Sequence, residues 1–256
     1  MKKLISTALI TGALGPLGQT ITSKFIDSGY KLILTDKQDS IPDSSYLRSQ
    51  NITYISADLS KDNSLKDLTD YCNNHLENLN VIINNAGLTG DSGLSGYMTN
   101  LNNQTNEAFM AAIRINLIAP FAIIRDLAPL MAKSPKASIV NISSIYSLVG
   151  PQPKLYENQN LRSTPAAYAA SKAGLNQLTR YFASVLAPSI RVNAVAAGGI
   201  ERNQKKEFIE KYSSFTPLQR MATPEEISDV IFWLANDKSS YVNGQVVVAD
   251  GGWTVW

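Results

Sequence analysis

Cys72 and His75 are the only cysteine and the only histidine in 256 residues, which excludes an internal disulfide framework and a zinc cluster of Cys and His ligands. Charge of one sign is equally scarce. The 23 basic and 21 acidic residues are scattered and leave a net charge of +2, so no polybasic patch invites nucleic acid or an anionic membrane. Long apolar runs are missing too: the longest helical one, Ala108 to Ala132, is interrupted by Arg114, Asn116, Arg125 and Asp126 and reads as a core helix. The start, Met1 to Thr7, is basic and then apolar, but it runs into Thr11-Gly12 and a glycine loop where a signal peptide would end, so it reads as a buried first strand. These absences leave a soluble protein of a reducing cytoplasm, with a small-molecule substrate and no metal, nucleic-acid or membrane partner.

With 44% hydrophobic and 17% charged residues, the chain is long enough for one large core, and 1–256 reads as a single domain. Short β-rich runs fall at Thr7 to Thr11, Lys31 to Thr35, Ile52 to Ala57, Val81 to Asn84, Ser138 to Ile142, Ile190 to Val195 and Gln245 to Ala249. Helical patterns separate most of them: Pro16 to Ser28, Ser64 to Glu77, Gln104 to Ala132, Ala166 to Ala187 and Pro224 to Asn236. Continuous apolar strands alternating with helices predict an α/β fold, a doubly wound Rossmann-type parallel sheet of about seven strands with helices on both faces. Thr223-Pro224-Glu225-Glu226 predicts a capping box at the start of the last helix.

Thr11-Gly12-Ala13-Leu14-Gly15-Pro16-Leu17-Gly18 joins the first strand to the first helix. Missing side chains there permit a tight turn, and the helix start offers free amides and a positive dipole end to a pyrophosphate. Asp36 ends the second strand 24 residues after Gly12, near the ~20-residue spacing at which a carboxylate receives the ribose hydroxyls of NAD and repels a 2'-phosphate. Lys37 beside it could receive that phosphate, but the balance favours NAD over NADP.

Tyr168 alone among eleven tyrosines has a lysine four residues on, Lys172, in a helical segment. That spacing puts both on one face, where an ammonium beneath the ring favours the ionised phenol. Hydride transfer to or from nicotinamide needs a proton donor or acceptor at the same carbon's oxygen and a group that fixes that oxygen.

Along essentially its whole length the chain resembles the short-chain dehydrogenase/reductase family, whose motifs occur here in the family's order. Its glycine loop is a variant, with Gly12, Gly15 and Gly18 in place and Pro16 where the family's middle glycine stands. Further matches are Asp58 after the third strand, Asn84-Asn85-Ala86-Gly87 after the fourth, Asn116 in the long helix, and Ser143-Ser144 after the fifth. The resemblance implies a catalytic set of Asn116, Ser144, Tyr168 and Lys172. Ser144 would bind the substrate oxygen, Tyr168 exchange its proton, Lys172 lower the phenol pKa and hold the nicotinamide ribose, and Asn116 position a relay water. It implies cofactor contacts at Gly12, Gly15, Leu17, Gly18, Asp36, Asp58, Leu59, Asn85, Ala86, Gly87, Gly198 and Ile200, besides Tyr168 and Lys172.

Two stretches depart from the family. Ser144 and Tyr168 are 24 residues apart, so 147–164 reads as a substrate-loop insertion. In the segment that follows the sixth strand, Ala197-Gly198 replaces Pro-Gly and Arg202 takes the place of a threonine that often touches the carboxamide; 199–221 reads as a lid. Lys154, Arg162, Arg202, Lys205 and Lys206 could surround an anionic substrate, and YSLVGPQPKLYEN with DGGWTVW resembles oxidoreductases of bacterial surface-glycan and flagellin-modification clusters. The expected reaction is thus on a sugar phosphate or nucleotide-linked sugar. Reduction of a 3-oxoacyl or polyol substrate and a non-catalytic nucleotide-sensing module stay open. Trp253 and Trp256 are expected at a subunit contact of a homo-oligomer, a tetramer or dimer.

Overall fold

A computed structural model describes residues 5–39, 51–90, 92–156 and 164–256. Seven strands form one sheet in which every pairing is parallel: β1 Thr7–Thr11, β2 Lys31–Asp36, β3 Ile52–Ser56, β4 Val81–Asn84, β5 Ala137–Ser144, β6 Ile190–Ala197 and β7 Val246–Ala249. Their order is β3-β2-β1-β4-β5-β6-β7, so the winding reverses between β1 and β4. Sheets of this kind bind ligands at the strand ends beside that switch.

Side-chain alternation along the strands builds two cores. Leu9, Ile33, Ile82, Ile139 and Val192 face α2 (Asp62–His75), α4 (Ala119–Met131) and α5 (Ala166–Val185). Ile10, Leu34, Ile83, Val140 and Val195 face α1 (Pro16–Asp27) and α7 (Pro224–Ala235). Adjacent residues therefore serve opposite layers, as the two-residue period of a strand requires. The capping box at Thr223 is present, with Thr223 and Glu226 each bonding the other's amide.

The long helix read from the sequence is composite. α3 (Asn106–Ile113) widens into a π turn, Arg114–Ile118, before α4 continues to Met131. By length and composition Asn106–Met131 could cross a membrane. Here Ala119, Ile123, Ile124, Leu127 and Met131 lie in the core against the sheet.

One helix escaped the sequence reading, α6 (Lys206–Ser214), within the segment 199–221 that reads as a lid from sequence. The ends of that segment are stitched by a bridge between Ile200 and Ala222. Tyr212 of α6 accepts a 2.6 Å bond from the Gly199 amide and stacks on Trp253 at 4.3 Å. Trp253 is consequently buried inside its own chain, a correction to its expected place at a subunit contact, whereas Trp256 is 79% exposed. Cys72 and His75 lie on α2; burial pushes the Cys72 thiol up to about 12, and His75 stacks on Tyr71. A thiol so shifted is inert at neutral pH.

Candidate active site

A cavity of about 1010 Å³ opens at the carboxyl ends of the strands and runs from Asp36 and Asp58 at one end to Tyr156, Phe208 and Tyr212 at the other. Every residue assigned to the cofactor lines it, as do Ser144, Tyr168 and Lys172; Asn116 does not.

At the acidic end the glycine turn closes because side chains are absent. Gly12 has φ +63, and a Cβ there would lie 2.8 Å from Ala86 Cα, while one on Gly18 would lie 2.1 Å from the Gly12 carbonyl oxygen. Asn85 clamps the same turn, its Nδ2 donating to Thr11 O at 3.0 Å and Gly12 O at 2.9 Å. Pro16 takes the first position of α1, where its missing N–H would have had no helical partner, so the helix start still offers the Leu17 and Gly18 amides. The Asp36 carboxylate is held from both sides, accepting from Leu14 N at 3.1 Å and Lys37 N at 2.8 Å. Asp58 is fixed by Ser60, whose hydroxyl donates to Oδ1 at 2.6 Å and is the main force holding that carboxyl below its ordinary pKa. A tight turn at a helix start, an anchored carboxylate and a second acid beyond it fit a dinucleotide of the nicotinamide class.

At the opposite end β5 and α5 bring Ser144, Tyr168 and Lys172 together. The Ser144 hydroxyl oxygen accepts the Tyr146 amide at 3.2 Å. With a lone pair so engaged, its single O–H is left to donate toward the phenol oxygen of Tyr168 or a substrate oxygen. Ser147 braces this corner, donating to Ser144 O at 2.5 Å and accepting from Asn176 Nδ2 at 2.8 Å.

The Lys172 ammonium is 5.8 Å from the Tyr168 ring centroid and donates to Ile142 O at 2.6 Å. Burial lowers its pKa to about 8. Burial raises the Tyr168 phenol, opposed by the Ser144 hydroxyl and then by the charge of Arg202. The sequence reading gave Lys172 the task of lowering the phenol pKa. In this geometry its ammonium faces the ring and is held by a carbonyl, and the charge of Arg202 also acts on the phenol.

Asn116 sits in the π turn, fully buried behind the cavity wall. Its Oδ1 accepts Leu88 N at 2.7 Å and its Nδ2 donates to Ser171 Oγ at 3.0 Å, which ties the loop after β4 to α5. Gly87 packs tightly beside it: a Cβ there would lie 3.3 Å from Asn116 Oδ1 and 3.5 Å from Lys172 Nζ.

Sequence reasoning missed the aromatic wall. Tyr146 and Tyr156 share a 3.1 Å hydroxyl contact, Tyr156 meets Thr164 at 3.1 Å, and the Phe208 ring lies 6.5 Å from that of Tyr156. Tyr156 thereby packs against α6. Phe208 and Tyr212 stand four apart on one helix face, a signal lost because the lid was not read as helical. Of the cations proposed for an anionic substrate, Arg202 and Lys205 line the cavity. Lys154 does not, Lys206 pairs with Glu210 at 3.6 Å away from it, and Arg162 lies outside the described residues.

A family model described as enoyl-(acyl carrier protein) reductase matches residues 12–254. The chain is 34% identical over 254 residues to the 3-oxoacyl-[acyl-carrier-protein] reductase FabG of Thermotoga maritima, covering 95% of this chain and 96% of that one. A short chain dehydrogenase from Leptospira borgpetersenii, solved with bound NAD+, superposes with a TM-score of 0.86 at 30% identity, covering 98% of this chain and 93% of that one. ElxO with NADP bound superposes at 0.83 with 25% identity, over 99% and 100% of the two chains.

Proposed function

This chain belongs to the short-chain dehydrogenase/reductase family and is an NAD(P)-binding oxidoreductase acting on CH–OH and carbonyl groups; from that premise we propose that it uses NAD and acts on an anionic sugar, a sugar phosphate or nucleotide-linked sugar. The observation that carries the reading is one cleft with the clamped Asp36 at one end and Ser144, Tyr168 and Lys172 at the other. Bound nicotinamide supplies or accepts the hydride. Ser144 donates to the substrate oxygen, Tyr168 gives that oxygen a proton in reduction and takes it in oxidation, and Lys172 favours the charged phenol and holds the ribose beside it. Tyr146, Tyr156 and Phe208 flank the reacting group and exclude water.

A second reading, reduction of 3-oxoacyl thioesters, is favoured by the FabG relative. A non-catalytic nucleotide sensor is not, given the family and the assembled Ser144, Tyr168 and Lys172. NADH formation from NAD across hexose phosphates and nucleotide sugars, with NADH consumption on 3-oxoacyl thioesters alongside, separates the two. Turnover confined to thioesters would overturn the sugar reading.

Asp36→Ala tests the cofactor preference. Its hydrogen bonds to ribose are charge-assisted, worth about 1.5–3 kcal/mol, so the KM for NAD should rise roughly 10- to 100-fold while that for NADP holds or falls. Equal losses for both cofactors would contradict the assignment.

We also place the protein in the cytoplasm as a homodimer or homotetramer. Phe109 and Met110 on α3 and Tyr181 and Val185 on α5 leave apolar surface on the long helices. Light scattering that gives the mass of a monomer would sink the assembly.

A further inference from the structure

The charges lining the cavity are sorted. Asp36 and Asp58 stand with Lys37 at the adenine end, whereas Arg202 and Lys205 stand in the segment after β6, and among the described residues no carboxylate lines the half of the cavity around Tyr168. Arg202 is exposed to the cleft, and among the described residues no acid forms an ion pair with it. Its backbone is fixed: the Arg202 amide donates to Gln204 Oε1 at 2.6 Å, and Gln204 Nε2 donates to Ile200 O at 2.8 Å. The turn is therefore set beside the Ile200–Ala222 bridge. A planar guanidinium with five donors and, among the described residues, no acidic partner suits a bidentate oxyanion, and such a pair strengthens when a site sheds water.

We propose that Arg202 is the substrate-anion anchor of this enzyme, gripping a carboxylate or phosphate that lies a few bonds from the reacting carbon. The inference rests on the dehydrogenase reading above and narrows its substrate class. Arg202 lines the same cavity as Ser144 and Tyr168, so an anion on Arg202 shares the cleft with the reacting oxygen. This separates it from the pyrophosphate, which belongs to the start of α1 at Leu17 and Gly18.

The test compares paired substrates in the full-length protein with NAD: hexose 6-phosphates with the free hexoses, and 3-hydroxy acids with their methyl esters. The pairs tell a phosphate from a carboxylate. In wild type the charged member should be preferred, and Arg202→Met should shrink that preference at least 30-fold, chiefly through KM. Arg202→Lys should restore part of it, and Lys206→Met, outside the cavity, should leave wild-type rates. NADH affinity of Arg202→Met, read by fluorescence, should stay within threefold of wild type. An unchanged preference overturns the assignment, and a matching loss of NADH affinity reassigns Arg202 to the cofactor. Turnover of neutral members only overturns the anchor and leaves the dehydrogenase standing. If no pair turns over, the sugar reading fails, and the anchor is decided by binding of malonate and inorganic phosphate to the NADH complex. Weakening of at least tenfold in Arg202→Met supports it, and equal binding overturns it.

Discussion

Tyr168→Phe should lower kcat by about 10²- to 10⁴-fold, the range that a positioned acid–base group contributes, while NADH binding stays near wild type. The ring remains to fill its place on α5, and only the hydroxyl that meets Ser144 is removed. The two directions of reaction give a second readout. Oxidation needs the phenolate and reduction needs the phenol, and burial holds the phenol above its ordinary value. In wild type, oxidation should therefore climb with pH and reduction fall, and both limbs should flatten in the variant. Full turnover in Tyr168→Phe, or unchanged limbs, would assign the proton step to another group.

Lys172→Met should cost roughly 10²-fold or more in kcat/KM, because it removes the ammonium over the Tyr168 ring and the ribose contact together. It carries a thermodynamic signature that a catalytic defect alone lacks. Burial depresses the Lys172 pKa from 10.5 to about 8. Below that lower value both the folded and unfolded chains hold the proton, and folding bears the full cost of burying the charge. Between the two values the unfolded chain keeps the proton and the folded chain releases it, so folded stability rises with pH. The gain is on the order of 3 kcal/mol across the window. Denaturant melts from pH 7 to 10.5 should show wild type gaining stability relative to Lys172→Met. Parallel curves would mean that Lys172 holds an ordinary pKa.

Much of this fold is legible because its strands are buried on both faces and its helices are not. Leu32-Ile33-Leu34 and Val81-Ile82-Ile83 read as continuous apolar runs, and Thr223-Pro224-Glu225-Glu226 announces a helix start. The π turn at Arg114–Ile118 is not legible, since one inserted residue leaves the helical pattern nearly intact. Of the site, the cofactor half is readable from local turns: Gly18 is required by the backbone of Gly12 and Ala13 within the motif, and Gly12 by its positive φ and by the backbone of Ala86. The substrate half is assembled from distant segments. Tyr146, Tyr156, Phe208 and Trp253 carry no spacing that predicts one wall, and Arg202 is visible in sequence only as a departure. Trp253 was misplaced for the same reason: its partner Tyr212 lies on a helix that the pattern of Lys206 to Ser214 did not announce.

The most direct measurement follows an isotope. Using a substrate deuterated at the carbinol carbon, NAD and the wild-type protein, mass spectrometry of the nicotinamide should find one deuterium per product formed, with the proton of the hydroxyl released to solvent. Product formed without label in the NADH, or label lost to water, would contradict hydride transfer in this cleft and with it the roles given to Ser144, Tyr168 and Lys172.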